Sequence, residues 1–279
     1  MDLRISERLS ALLDSPEDCI CLAEAALLFA ESRYPGLDIK DYLGRIDGFA
    51  RELRERLGDD SSDTDRLGAL NQYLFQELGF APDPDNYYDP RNSFLNEVLE
   101  RRRGIPLSLS IVYISVGRRL GLDLRGVSFP GHFLVKCPVE GGIVVLDPYY
   151  GGLSLSLEDL QQRLRDARGG EVSRAIVSEL LVSAPPREVL VRMLRNLKAI
   201  YLKAGQMDEA LAVLEWIVPL APKEPEELRD RGVVYQELEC FRAALADFER
   251  YIALAPNAAD AEGIRDRIVE MQKLASRLN

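Results

Sequence analysis

The chain has 279 residues, 47% of them hydrophobic and 29% charged, with a formal net charge of −11. That length and composition describe a globular protein of two modest domains, each able to bury its own core. The acidic balance argues against nucleic acid as the main partner, and no apolar run is long enough to span a bilayer.

The opening Met1-Asp2-Leu3-Arg4-Ile5 lacks the apolar stretch of a secretion signal, so a cytoplasmic protein is expected. The first ninety residues read as helices. Ser15-Pro16-Glu17-Asp18 has the form of a capping box with proline at the first helical position, predicting a helix from there to about Ser32. Tyr34-Pro35-Gly36 breaks it. Asp38 is placed to cap a third helix that runs to about Leu57 and is ended by Gly58 and an acidic loop from Asp59 to Asp63. A fourth helix runs to about Leu78 and stops at Gly79. A loop dense in turn formers, Ala81 to Pro90, then leads to a helix capped by Asn92 or Ser93 and ending near Arg103.

From Pro106 to Leu120 the pattern changes. Leu107, Leu109, Ile111, Val112, Ile114 and Val116 leave no wide polar face before Arg118, which predicts a helix buried at the centre of the domain. Arg101–Arg103 and Arg118-Arg119 fall at expected helix ends, where cations complement the helix dipole. With Arg125, the sharper alternative is a local site for a carboxylate or phosphate. Three extended segments follow, about Leu124–Phe129, His132–Cys137 and Ile143–Asp147, the last an apolar run expected of a strand covered on both faces.

Val182-Ser183-Ala184-Pro185-Pro186 reads as a linker. Beyond it the chain repeats: Tyr201 and Tyr235 stand 34 residues apart, as do Ala210 and Ala244, Leu214 and Phe248, and Pro222 and Pro256. This period, with small, aromatic and terminal-proline positions in register, is that of tetratricopeptide (TPR) repeats. Gly232 keeps the small residue expected where the two helices of a repeat approach; Lys198 stands there in the first copy. A last helix, about Ala259–Leu278, would cap the stack.

The chemistry centres on His132, the one histidine of the chain. Strand alternation puts His132, Leu134 and Lys136 on one face and Cys137 on the other. A four-residue hairpin loop at 138–141 would set His132 directly opposite Asp147; a tighter turn would pair Lys136 with Asp147 and still leave His132 and Asp147 on one face. Such a pair resembles the back half of a Cys-His-Asp triad, which needs a nucleophile at the N-terminus of a buried helix. That place is held by Pro106-Leu107-Ser108. Cys19, Cys21, Cys137 and Cys240 are without metal-ligand or disulfide spacing, and neither a metal nor a cofactor is expected. Ser108 is the nearest nucleophile-type side chain, though a hydroxyl gains far less than a thiol from a helix dipole, and its structural reading is as a helix cap.

Three segments carry a family likeness: Asn92 to Leu109, Gly126-Val127-Ser128-Phe129-Pro130-Gly131-His132-Phe133, and Leu146-Asp147-Pro148-Tyr149-Tyr150-Gly151-Gly152. Together they resemble the SirB-type family, which joins a transglutaminase-like core to C-terminal TPR repeats. The resemblance implies an α+β, papain-like first domain with a helical N-terminal part and a small antiparallel sheet, followed by an all-α domain. The corresponding limits are residues 1–181 for the first domain, with its helical part at 1–103 and its core helix and strands at 104–160. The linker is 182–186, and two repeats with a capping helix occupy 187–279. The resemblance also places the triad positions at His132 and Asp147 and the nucleophile within Pro106–Ser108, where this sequence departs from the active pattern. The expectation is therefore a cytoplasmic bacterial pseudoenzyme that binds protein partners through a degenerate site and its repeats, and not nucleic acid or membrane. The alternative is a hydrolase or acyl-transferase using Ser108, His132 and Asp147, with a small-ligand pocket beside Arg101–Arg103 as a third possibility. Nothing in the residues specifies an oligomeric state.

Overall fold

The computed structural model describes residues 3–58 and 60–277. Asp59 of the acidic loop, Leu278 at the expected end of the last helix, and Met1 and Asp2 lie outside the described residues. The chain divides into two compact units, one of residues 3–8 and 14–193, the other of residues 9–13 and 194–277. The fold is α+β in the first unit and all-α in the second.

In the first unit, α1 (Leu3–Asp14) is followed by α2 (Leu22–Arg33), α3 (Ile39–Arg56) and α4 (Asp63–Asn71). The capping box at Ser15 does not open a helix. Glu17–Cys19 form a single 3-10 turn, Ile20 is extended and buried, and α2 begins only after Cys21. Glu17 accepts the Arg187 N–H at 3.2 Å instead of closing a box. Asp38 does cap α3, accepting from Asp41 N–H at 3.1 Å. α4 runs on into a π-helical turn, Gln72–Glu77, before the chain turns at Gly79. Helix α5 (Leu95–Arg101) has neither Asn92 nor Ser93 as its cap; those residues follow Pro90 in a 3-10 turn capped by Asp89, and Phe94 holds the cap position. Short strands β1 (Ala81–Pro82) and β2 (Arg103–Gly104) pair in parallel on either side of this segment.

Helix α6 (Pro106–Arg119) is buried at every position from Pro106 to Gly117, as its all-round apolar pattern predicts. It packs against α2, α3, α4 and α5 and against the sheet. That sheet has four antiparallel strands in sequence order: β3 (Arg125–Val127), β4 (Leu134–Val139), β5 (Gly142–Asp147) and β6 (Leu153–Leu155). The β4–β5 hairpin is tighter than a four-residue loop. Val139 pairs with Gly142 and Val135 with Leu146, so only Glu140 and Gly141 form the turn, Gly141 with φ of +91°. This register pairs neither His132 nor Lys136 with Asp147. His132 precedes the strand, and Lys136 lies opposite Val145. The parity argument is unaffected, because an even residue of β4 still shares its face with an odd residue of β5.

Two helices absent from the sequence reading, α7 (Leu157–Arg168) and α8 (Arg174–Leu180), cover that face. Leu160, Leu164 and Val177 form one buried cluster with Val127, Phe129, Leu134, Val145 and Leu155. Val135, Cys137 and Leu146, of opposite parity, are buried on the other side.

Helix α9 (Pro186–Lys203) begins in the first unit and ends in the second. The second unit adds α10 (Met207–Leu220), α11 (Glu226–Glu237), α12 (Phe241–Leu254) and α13 (Ala261–Arg277). Both ends of α10 are reproduced 34 residues later in α12, so the helices obey the period of the sequence. Ala210, Ala244, Leu214 and Phe248 are all fully buried at the repeat positions. A Cβ at Gly232 would lie 2.6 Å from Phe248 Cε1, which is why the second copy has no side chain there. In the first copy the smaller Leu214 stands in place of Phe248, and Lys198 is accommodated. Its ammonium reaches Glu227 at 2.6 Å and Asp230 at 2.7 Å.

Candidate functional site

His132 stands at the end of a tight turn. Its N–H donates to Phe129 C=O at 3.0 Å across Pro130 and Gly131, and Gly131 has φ of +71°. Proline then glycine at the central positions is the type II turn arrangement. Arg192 on α9 clamps this turn: Nη2 donates to the carbonyl of His132 at 2.8 Å, and the guanidinium lies over the Phe133 ring.

Asp147 closes β5 with no exposed surface and gathers three donors. His132 Nε2 lies 2.9 Å from Oδ1, Tyr149 N–H donates to the same oxygen at 3.1 Å, and Arg163 Nη1 donates to Oδ2 at 2.6 Å. Burial opposes ionisation of Asp147, but the hydrogen bond and charge of His132, followed by those of Arg163, outweigh it, so the carboxyl is held below its ordinary range. With Asp147 ionised, His132 donates through Nε2, and Nδ1 carries no hydrogen bond among the described residues. The imidazole lies edge-on to Tyr149 and stacks on Tyr150, with centroids 5.8 and 6.1 Å away. The chain after Asp147 is pinned in turn: Asn71 at the end of α4 donates to Gly152 C=O at 3.0 Å and accepts from Tyr113 Oη at 2.8 Å.

Ser108 is elsewhere engaged. It is fully buried in the first turn of α6, where Oγ donates to Asn92 C=O at 2.6 Å and accepts the Ile105 N–H at 3.1 Å. The Asn92 side chain is itself held by Arg101 at 3.1 Å, so the signature segment from Asn92 to Leu109 forms one internally bonded corner. Pro106 opens the helix in front of it. Cys137 pairs with Val144 on the opposite face of the sheet from Asp147. Burial, then Asp63 and Asp123, push its thiol up to about 11, the reverse of what a nucleophile requires.

The structure thus brings His132 and Asp147 together, and gives the Ser108 hydroxyl other partners. Sequence reasoning did not single out Arg163 or Arg192. Arg163 carries a weak signal, flanking the Leu160–Leu164 stripe of an amphipathic helix that opens on the capping box Ser156–Asp159. Arg192 carries none, since only the fold brings α9 to the His132 turn. The arginines of the basic clusters mostly serve carbonyls and carboxylates: Arg102 binds Leu78 C=O, Arg103 binds Gly79 C=O, and Arg119 binds Asp47.

A buried helix facing an antiparallel sheet, with an aspartate of the sheet paired to a histidine of the preceding turn and helical repeats further along the chain, defines a transglutaminase-like protein with a TPR region. The family described as the transglutaminase-like superfamily matches residues 40–195, and the tetratricopeptide repeat family matches residues 197–269. A UPF0162 protein of Xylella fastidiosa is 43% identical over 257 residues, covering 91% of each chain. UPF0162 proteins of Pseudomonas aeruginosa and Vibrio cholerae are 31% and 30% identical, over 95% and 92% of this chain and 99% and 94% of theirs. The chain belongs to the transglutaminase-like superfamily and, within it, to the UPF0162 proteins. Among the described residues no helix is long and apolar enough to cross a membrane.

Proposed function

We propose that this protein acts by binding protein partners, and that its transglutaminase-like site has kept a His–Asp pair without a nucleophile. The observation that carries the reading is the Ser108 hydroxyl, buried and already donated to Asn92 C=O at 2.6 Å. A nucleophile must instead deliver that proton to a base within hydrogen-bond reach. Asp147 and its three donors account for His132 as a structural element. The TPR region supplies the binding element, since stacked repeats form extended recognition surfaces. The finer SirB-type assignment is supported by the three signature segments, which provide the Ser108 corner, the His132 turn and the Asp147 loop. Domain limits at 1–181 and 187–279, with a linker at 182–186, belong to the same reading. So does a bacterial, cytoplasmic setting, which the exposed free thiols of Cys19, Cys21 and Cys240 fit.

The alternative is a hydrolase or acyl-transferase with Ser108 as nucleophile, His132 as base and Asp147 as its orienter. The unpaired Nδ1 of His132 is what favours it. A fluorophosphonate probe separates the two. Wild type and Ser108→Ala are expected to remain equally unlabelled; labelling of wild type that disappears in the variant overturns the non-catalytic reading. Affinity capture with and without residues 187–279 tests recruitment, which requires that partners be lost with the repeats. Recovery of the same partners from both would sink it.

A further inference from the structure

Between α1 and α2 the chain reads Glu17-Asp18-Cys19-Ile20-Cys21. The 3-10 turn Glu17–Cys19 is closed by Cys19 N–H donating to Pro16 C=O at 2.9 Å and Ile20 N–H donating to Glu17 C=O at 3.2 Å. Ile20 is then extended, with φ of −74° and ψ of 115°, and only 2% exposed. The cysteines on either side of it are both free and exposed. The buried isoleucine is thus an anchor, and the thiols flanking it face solvent. One extended residue between them sets their Cα atoms about 6.6 Å apart, two steps of strand rise.

The segment that carries this pair is fastened on both sides. Arg187 bonds the Glu17 carboxylate at 3.0 Å and donates to Ser15 C=O at 2.7 Å. On the other side, Ala25 N–H donates to Cys21 C=O at 3.0 Å and α2 begins. The thiols themselves are unused. Cys21 holds the cap position of α2 without a side-chain capping bond, and neither sulfur has a hydrogen bond among the described residues.

The donors present define what such a pair can hold. Among the described residues no three His, Cys, Asp or Glu side chains gather in a way that could hold an ion. A closed zinc site needs four ligands, so the pair suits instead a metal ion satisfied by two thiolates in line. Soft thiolate donors select Cu(I), which accepts that coordination. The spacing points the same way. Cα atoms about 6.6 Å apart stand near the upper limit for a disulfide, about 6.8 Å. A sulfur–metal–sulfur bridge with bonds of about 2.3 Å spans about 4.6 Å between sulfurs, more than twice the reach of a disulfide bond. Two thiolates and one monovalent cation leave a single negative charge, placed where the N-terminus of the twelve-residue α2 favours it.

We infer that Cys19 and Cys21 form a two-thiolate site for Cu(I), separate from the His132–Asp147 cluster. On binding, both S–H bonds break, two sulfur–copper bonds form, and the two protons pass to solvent. Neither the metal nor the sulfurs change oxidation state. Because both thiols are exposed, an incoming thiolate can reach the bound ion and exchange with it.

Anaerobic titration of the reduced full chain with Cu(I), in competition with the chromophoric chelator bicinchoninate, tests the inference. One ion per chain is expected. Cys19→Ser and Cys21→Ser should each weaken binding about a hundredfold, the loss expected when one of two linked ligands is removed. Cys240→Ser, which alters an exposed thiol in the second unit, should leave the affinity unchanged. X-ray absorption on the copper-loaded wild type gives a readout that needs no variant: two sulfur neighbours in a linear arrangement. Stoichiometry below one, equal affinity in the Cys19 or Cys21 variants, loss of binding in Cys240→Ser, or three or more sulfur neighbours would each overturn the assignment.

Discussion

At Asp147 three donors converge on one buried carboxylate, and each comes from a different part of the chain. His132 arrives by a turn, Tyr149 by the next two residues and Arg163 by a helix packed over the sheet. An imidazole fixed this way has a defined tautomer and a fixed plane, which serves a triad and a structural pair equally well. Ser108 bears on the choice, because its one hydrogen goes to Asn92 C=O. Replacing it with alanine removes a donor from Asn92 C=O and an acceptor from Ile105 N–H, both at buried positions. Ser108→Ala is therefore expected to cost about 1–3 kcal/mol in chemical denaturation. Gly152 is a second sensitive point. Its φ is +76°, and a Cβ there would overlap the Asn71 carboxamide that positions the loop. Gly152→Ala should lower stability by more than about 2 kcal/mol, from the left-handed backbone and the overlap together. A melting temperature equal to wild type would refute that placement.

Among the elements, those with a strong local pattern were legible and those defined by their neighbours were not. The unbroken apolar run of α6 announces burial, and the residue pairs of the repeats announce α9 to α12, because in both cases the chain itself supplies the periodicity. The hairpin register was not legible. Glu140-Gly141 and a longer loop are both compatible with Pro138-Val139-Glu140-Gly141-Gly142, and the choice rests on the left-handed φ of Gly141. The apparent capping box at Ser15 misled for a related reason: Ile20 is drawn into the core and Glu17 toward Arg187, and those tertiary contacts override a local signal. His132 and Asp147 were legible as neighbours because parity survives a register error, whereas Arg163 required the packing of α7. The repeats also expose a local weakness. Gly205 has φ of +68° after α9, and its counterpart after α11 is Glu239 at +57°. A side chain in that conformation is strained by about 1–2 kcal/mol, and glycine's own flexibility returns part of it. Glu239→Gly is thus expected to stabilise the protein by about 0.5–1 kcal/mol, seen as a higher denaturant midpoint at unchanged slope.

For the molecule as a whole, the dependence of stability on pH follows from its carboxylates. Asp147, Asp123, Asp89 and Glu100 are all held below their ordinary range, each with an arginine among the causes. A carboxyl whose native pKa is depressed contributes stability that is complete above its unfolded value, about 3.9 for Asp. That stability is lost as pH falls through the lower native value. The melting temperature should accordingly fall steeply below about pH 4. The fall should be shallower in Asp147→Asn, which is less stable at neutral pH and has less to lose in acid. A parallel decline in the two proteins would show that Asp147 is not held low.

The exchange of volumes between the two repeats fixes their order. Where one copy has glycine against phenylalanine, the other has lysine against leucine, and the lysine is tied to carboxylates on α11, the first helix of the next copy. Transplanting α11 into the place of α9 would leave a void over Leu214 and strand Glu227 without its ammonium partner. The reverse transplant would drive a lysine stem into Phe248. The two copies share a period and are not interchangeable parts, so a duplicated or shuffled array built from them would fail at the first junction between like copies.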